Sequence, residues 1–124
     1  MQFMRGGELF QHLRTDQYFP ESRAKFYVAI VAMALGHLHS KDIIYRDLKP
    51  ENILLDERGF VYLTDFGMAK ELPKGELAMS FCGTPEYLGT LKYNFTLNVF
   101  LAPEIITGEG HGREADWWSL GILA

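Results

Sequence analysis

The sequence predicts an α+β fold that is mainly helical, with short strands around one cleft. Apolar residues recur every three or four positions from Ala24 to Leu38, which indicates one buried helix face. Three short apolar runs, Ile43–Ile44, Ile53–Leu55 and residues 60–63, are typical of strands. Polar segments follow the first and last of these runs. The strand ends are therefore expected to bring loops together on one ligand.

The remaining elements can be predicted in chain order. Gly7 to Leu13 predicts a helix of two turns. Pro20 begins the longer helix, because its missing N–H and fixed φ are harmless in a first turn. Lys41 and Asp42 close that helix. Other segments are predicted as a turn at 57–59, a flexible segment at 67–88 and an apolar helix from 116 to 124.

The bulk properties exclude several classes of protein. A length of 124 residues suffices for one small domain. The net charge of −4 gives no electrostatic reason to expect a nucleic-acid partner. One cysteine excludes an internal disulfide framework and suits a reducing compartment, so we expect a cytoplasmic location, with the nucleus as a second one. The longest uncharged apolar run, residues 26–36, is well short of the roughly 18–20 residues that span a bilayer.

Two short motifs lie close together in the middle of the chain. Residues 45–52 are Tyr-Arg-Asp-Leu-Lys-Pro-Glu-Asn, and thirteen positions after Asn52 comes Asp-Phe-Gly at 65–67. Ala-Pro-Glu follows at 102–104. Each tripeptide alone arises by chance in many chains. The ordered set is far more specific and predicts one common site.

The side chains of these motifs suit phosphoryl transfer from a nucleotide. That reaction needs an acid to orient the attacking hydroxyl, a cation on the moving phosphate, and oxygen ligands for Mg²⁺. Asp47 is the candidate base, and Lys49 would neutralise the phosphate. Asn52 and Asp65 would hold Mg²⁺. We therefore predict a catalytic set of Asp47, Lys49 and Asn52, with Asn52 and Asp65 as the metal ligands.

On these motifs the chain resembles a eukaryotic protein kinase of the serine/threonine type, since Lys49 stands two residues after Asp47. Tyr45, residues 80–87 and residues 116–121 make it similar to the AGC group, and within that group to protein kinase B. The resemblance implies ATP and Mg²⁺ as cofactors and transfer of the γ-phosphate to serine or threonine hydroxyls of protein substrates. It also implies that residues 1–124 form part of the large lobe, from the hinge to the start of its central helix.

The resemblance also implies roles around the nucleotide and the substrate. The Met4 backbone would meet the adenine edge, Leu54 would lie under the adenine ring, and Glu8 would contact the ribose. Glu8 and Glu51 would face basic residues upstream of the target hydroxyl. Such carboxylates pair selectively with arginine, so substrates with upstream arginines are expected.

Further implied roles concern regulation and packing. Ser80 lies where such kinases carry a phosphosite for an upstream activating kinase, and Arg46 is the expected partner of the added phosphate. Thr84 would lie near the catalytic aspartate, and Pro85 would line the pocket for the residue after the target. Tyr45, Phe66 and Asp116 resemble the residues that form a stacked spine and its anchor in this family.

One stretch departs from the family pattern, in which Tyr-Leu runs directly into Ala-Pro-Glu. Thirteen extra residues lie within about 88–101, and from Thr90 to Val99 they alternate polar and apolar, as a strand does. The stretch is a natural insertion, a translated intron, or a sequencing or gene-model error. The second and third interpretations are favoured, because an uncovered strand of low charge is an aggregation liability.

Two features of the family are not found in these 124 residues. There is no Gly-x-Gly-x-x-Gly loop and no Val-Ala-Ile-Lys strand, and Lys25 falls within the predicted long helix. The small lobe is expected to be missing, so we expect the 124 residues alone to show little or none of the family's turnover of about 1–100 s⁻¹. Two hypotheses therefore stand: part of an active ATP-dependent kinase, or a catalytically incompetent, truncated kinase-like fragment that serves as a binding or regulatory product.

Overall fold

The computed structural model describes residues 4–79 and 102–124. Short 3₁₀ helices at Pro50–Asn52 and Phe66–Met68 lie beside the two central motifs. The strands are β1 (Gly7–Glu8), β2 (Ile43–Ile44), β3 (Ile53–Leu55), β4 (Val61–Leu63) and β5 (Lys70–Glu71). The α-helices are α1 (Leu9–Asp16), α2 (Glu21–Ser40), α3 (Pro103–Thr107) and α4 (Glu114–Leu123).

The strands form two small antiparallel sheets. One has the order β1-β3-β4, and the other pairs β2 with β5. In the first sheet Glu8 lies opposite Leu54, and Leu54 lies opposite Tyr62. Because the turn after β3 is closed by Asp56, whose Oδ1 accepts the N–H groups of Arg58 and Phe60, β3 and β4 are held in register.

Helix α2 carries the predicted buried stripe. Tyr27, Val31 and Leu35 lie on it four positions apart and are 7%, 0% and 0% exposed. They join a core that also contains Ile53 and Leu55 of β3. Full burial of an aliphatic side chain contributes about 1.5–3 kcal/mol, so this stripe is a large part of what holds the helix against the sheet.

The first predicted helix begins two residues later than expected. Gly7 and Glu8 form β1 instead, and Gly6 N donates to Leu55 O at 2.9 Å. A Cβ at Gly6 would lie 2.4 Å from Asp56 O, so only glycine allows this close approach of the two backbones. The propensity of the segment is helical, but pairing with β3 prevails over it.

The segment predicted as flexible contains two short backbone pairings within the described residues. Residues 70 and 71 form β5 against β2, and Ala78 exchanges backbone hydrogen bonds with His111 at 2.8 and 3.1 Å. Both pairings are too short to leave a periodic pattern in the sequence. Backbone pairings thus occur at residues 70, 71 and 78 of the segment predicted as flexible, and residues 80–88 lie outside the described residues.

The ends of the two longest helices lie close to the predicted positions. Helix α2 ends before Lys41, and α4 begins two residues before the predicted Asp116. Within residues 4–79 and 102–124, no helix combines the length and the apolar character needed to cross a membrane. The insertion predicted within 88–101 lies outside the described residues.

Candidate active site

Asp47 forms one hydrogen-bonded cluster with its two polar neighbours. Lys49 Nζ donates to both carboxylate oxygens of Asp47 at 3.0 Å. Asn52 Nδ2 donates to Asp47 Oδ2 at 2.7 Å and to the Asp47 carbonyl at 2.9 Å. The 3₁₀ helix that starts at Pro50 turns the chain so that Asn52 returns to Asp47. The side chains of Lys49 and Asp47 are 25% and 23% exposed, so solutes can reach both groups.

Asp116 of α4 anchors the segment that precedes this cluster. Its buried carboxylate accepts Tyr45 N at 2.8 Å, Arg46 N at 2.7 Å and His39 Nε2 at 2.7 Å. A carboxylate can only accept, so His39 must carry its hydrogen on Nε2. Three charge-assisted bonds offset the cost of burying the acid and hold α2, α4 and the 45–52 motif together.

The backbone is strained at two positions of the site. Arg46 has φ +67° and Asp65 has φ +54°, the left-handed region that costs a side-chain-bearing residue about 1 kcal/mol or more. Asp116 holds Arg46 in place, and Arg46 Nε donates to Met68 O at 2.7 Å. Asp65 Oδ1 accepts Gly67 N at 3.2 Å. The strain thus lies at the two positions where the motifs turn, and tertiary hydrogen bonds maintain it at Arg46.

Tyr45 joins the two motifs. Its ring is fully buried and packs edge-on against Phe66, with the ring centroids 5.3 Å apart. Its hydroxyl donates to Thr64 O. Tyr45 therefore packs against Phe66 through its ring and binds Asp116 through its backbone N–H.

The environment of Tyr45 also perturbs its phenol. Burial raises the pKa of Tyr45 above its ordinary value, and the negative charges of Asp47 and Asp65 raise that pKa further. Both acids act on one phenol. Tyr45 stands two residues before Asp47, and its hydroxyl donates to the carbonyl of Thr64, the residue before Asp65, so this side chain connects the two acid-bearing loops.

The shifted phenol predicts an alkaline loss of stability. Because Tyr45 keeps its proton in the native state, its contribution to stability is complete below pH 10 or so and is lost as the pH rises toward the higher native pKa. One such proton gives a slope of up to about 1.4 kcal/mol per pH unit. We expect Tyr45→Phe to reduce this slope in urea unfolding between about pH 10 and 12. Tyr18→Phe, at an exposed tyrosine, is the control; equal slopes in the two variants would contradict the assignment.

The residues predicted to face a nucleotide lie on and beside the three-stranded sheet. Glu8 is on β1 and Leu54 is on β3 directly opposite it; both are half-buried. Met4 precedes β1, and its carbonyl accepts Gly7 N at 3.2 Å. Glu51 lies in the 3₁₀ helix beside the Asp47 cluster and is half-buried.

Three predicted residues lie outside the described part of the chain. They are Ser80, Thr84 and Pro85, so the phosphosite and the pocket after the target hydroxyl stay predictions. Arg46, the predicted phosphate partner, is described: its Nε is bonded to Met68 O, beside the 65–67 motif.

Two histidines were not predicted to take part in the site. His39 contacts Asp116, 77 positions away. His111 pairs with Ala78, and burial lowers its pKa, with the charge of Arg46 adding to that effect. Only its place in the helical stripe could have indicated that His39 is buried. The part of the chain that the structure describes contains no group of three or more His, Cys, Asp or Glu side chains suited to a metal.

The site and fold identify the class of protein. The cluster of Asp47, Lys49 and Asn52, next to an Asp-Phe-Gly turn, lies in a partial kinase fold, and the protein kinase domain family matches residues 1–124. The chain therefore belongs to the protein kinase domain family.

Curated relatives agree with that assignment. The chain is 53% identical over 133 aligned residues to Protein kinase 3 of Dictyostelium discoideum, covering 99% of this chain and 13% of the relative. It is 52% identical over 123 residues to the cAMP-dependent protein kinase catalytic subunit of Arthrobotrys oligospora, covering 99% and 21%. With Serine/threonine-protein kinase Sgk3 of Rattus norvegicus it shares 52% over 124 residues, covering 99% and 22%.

These relatives confirm the predicted resemblance to serine/threonine kinases of the AGC group. The narrower similarity to protein kinase B stays a prediction. The chain spans 13% to 22% of the lengths of these three relatives.

Proposed function

We propose that this chain supplies the catalytic loop and metal-binding turn of an ATP-dependent protein serine/threonine kinase. The observation that carries the proposal is the hydrogen-bonded cluster of Asp47, Lys49 and Asn52. These three side chains are polar and mutually oriented; Lys49 and Asp47 are partly open to solvent, and Asn52 is buried beneath them. Catalysis of this kind depends mainly on positioning and electrostatics, and the cluster supplies both.

Each side chain has a distinct role in the proposal. Asp47 accepts the hydrogen bond of a substrate serine or threonine hydroxyl and takes its proton as the hydroxyl oxygen attacks the γ-phosphorus. Lys49, already bonded to Asp47, stabilises the negative charge that spreads over the transferring phosphoryl group. Asn52 keeps Asp47 oriented, because its amide nitrogen bonds both the carboxylate and the carbonyl of Asp47.

The donor set suits Mg²⁺. The amide nitrogen of Asn52 is turned toward Asp47, so its oxygen is the atom left to act as a ligand, and Asp65 is an exposed carboxylate. Both are hard oxygen donors, and Mg²⁺ is commonly held by one or two protein groups together with phosphates and water. When bound, the ion neutralises charge on the phosphates. Gly67 N donates to Oδ1 of Asp65, which helps to orient this carboxylate.

The remaining predicted roles form part of the proposal. Glu8 and Leu54 contact the ribose and the adenine of ATP, with the Met4 backbone at the adenine edge. Glu51, together with Glu8, faces arginines upstream of the target hydroxyl. The proposed partners are protein substrates and an upstream kinase that acts on Ser80. The proposed location is the cytoplasm, with the nucleus as a second one.

A second candidate function is a kinase-like polypeptide without activity. The observation that favours it lies within the chain: thirteen extra residues within about 88–101 separate Tyr87 from the Ala-Pro-Glu motif at 102–104. Such a product could still bind substrates or regulators through Glu8 and Glu51. The intact set of Asp47, Lys49, Asn52 and Asp65 favours the enzyme, because a binding module has no physical need of all four.

The test begins with the transcript. Its full sequence, read across residues 1 and 124 and through 88–101, defines the polypeptide to be produced. We then expect that polypeptide to transfer the γ-phosphate of ATP to a serine peptide with two upstream arginines, and to do so only with Mg²⁺ present.

The matched control peptide has alanines in place of the arginines and should show a higher KM. This follows because each lost arginine removes a charge-assisted hydrogen bond to a carboxylate. An equal KM for the two peptides would contradict the proposed roles of Glu8 and Glu51. A polypeptide that binds ATP but transfers no phosphate would establish the second candidate function.

A further inference from the structure

One face of the three-stranded sheet carries a row of three side chains, one from each strand. Glu8 of β1 lies opposite Leu54 of β3, and Leu54 lies opposite Tyr62 of β4. Directly opposite residues of antiparallel strands project from the same face, with their Cβ atoms about 4.5–5.5 Å apart. Glu8, Leu54 and Tyr62 therefore form one continuous row, called here the outer row.

The outer row faces away from the core. The alternate residues of β3, Ile53 and Leu55, are 0% and 2% exposed, and Val61 and Leu63 of β4 pack against the same core. Side chains alternate between the two faces of a strand, so Leu54 and Tyr62 must project to the other side. In agreement, Tyr62 is 48% exposed, which leaves much of its ring accessible to a ligand.

The outer row leads directly to the candidate active site. Pairing of the two strands continues one step beyond Ile53 and Leu63, since Thr64 N donates to Asn52 O at 3.0 Å. Two residues along a strand span about 6.6 Å, so Leu54 and Tyr62 lie roughly that far from Asn52 and Thr64. Asp65 comes next. An apolar pair thus borders the groups proposed to meet the phosphates.

We propose that the ring of Tyr62 contacts the base of the bound purine nucleotide, so that Tyr62 and Leu54 together form the apolar platform under it. The inference rests on the proposed function, because that function places ATP on this face. Leu54 is half-buried and offers one aliphatic side chain. Tyr62 adds an aromatic face to the same platform, and stacking on such a face is insensitive to base identity. Tyr62 is thus a nucleotide-positioning residue that strengthens base binding.

The test measures binding of three probes by calorimetry: ATP with Mg²⁺, adenosine, and inorganic tripolyphosphate. We expect Tyr62→Ala to weaken the binding of ATP and of adenosine by about tenfold, which is the usual effect of removing one stacking ring. Tripolyphosphate has no base, so its affinity should not change. Tyr62→Phe keeps the ring and should bind all three probes as the wild-type protein does.

Tyr18→Ala is the matched control, because Tyr18 is 78% exposed and lies in the connection between α1 and α2, outside the strands. If the wild-type protein binds neither ATP nor adenosine, the proposed function fails and the inference fails with it. If the wild-type protein binds both, and Tyr62→Ala matches Tyr18→Ala, only the inference is overturned. A Tyr62→Ala protein that loses tripolyphosphate affinity equally would also overturn it, since the effect would then come from the fold.

Discussion

Replacing Asp47 by asparagine is expected to lower the rate of phosphate transfer by about 10²- to 10⁴-fold, the usual contribution of a positioned general base. The introduced amide has nearly the same size as the carboxylate and still accepts a hydrogen bond. It cannot take the proton of the substrate hydroxyl, and its nitrogen would place a donor against Lys49 Nζ or Asn52 Nδ2, which now donate to Asp47. The measurement is the rate of transfer to the arginine-containing peptide at saturating ATP.

Two comparisons make this result specific. The affinity for ATP should change little in Asp47→Asn, because Asp47 is proposed to contact the substrate hydroxyl and not the nucleotide. Asp16→Asn, at an exposed acid on α1, should transfer phosphate like the wild-type protein. If the rate of Asp47→Asn lies within about tenfold of the wild-type rate, the assignment of Asp47 as the general base is wrong.

Replacing Asp116 by alanine is expected to lower the free energy of unfolding by about 3–5 kcal/mol. The change leaves three donors without this acceptor: His39 Nε2 and Tyr45 N, which are buried, and Arg46 N, which is partly buried. Each unpaired donor costs about 1–3 kcal/mol, and the whole domain is held by only about 5–15 kcal/mol. Urea unfolding followed by tryptophan fluorescence measures the loss directly.

The control is Asp16→Ala, which removes an ion pair with Arg23 whose side chains are 41% and 35% exposed. Exposed pairs contribute about 0–1 kcal/mol, so this variant should unfold close to the wild-type midpoint. If Asp116→Ala does not fold, the stability of Asp116→Asn is measured instead. This variant keeps one acceptor oxygen, so its free energy of unfolding should fall by an intermediate amount. Equal stabilities of Asp116→Asn and Asp16→Asn would contradict the anchor role.

Much of the fold and the core of the site could be predicted from sequence. Helix α2 was predictable because apolar residues repeat with the helix period from Ala24 to Leu38, and Tyr27, Val31 and Leu35 are indeed buried. The cluster of Asp47, Lys49 and Asn52 was predictable because its members are at most five positions apart, so the local turn alone brings them together.

Short pairings could not be predicted in the same way. Strands β1 and β5 contain two residues each, and two residues cannot display a period of two. Their partners, β3 and β2, lie far away along the chain, so pairing depends on how the whole domain packs. The same limit explains why the helix predicted from Gly7 begins later and why residues 70 and 71 were predicted as flexible.

By itself, the sequence determined the chemical groups of this kinase-domain segment: the acids, the lysine and the amide whose types and local spacing suit phosphate transfer. Only the tertiary structure decided how their backbone is held. Asp116 reaches Tyr45, Arg46 and His39 across 71, 70 and 77 positions. The left-handed conformation of Arg46 carries an energetic cost that no local preference offsets, so it persists because a buried carboxylate from a distant helix accepts its N–H.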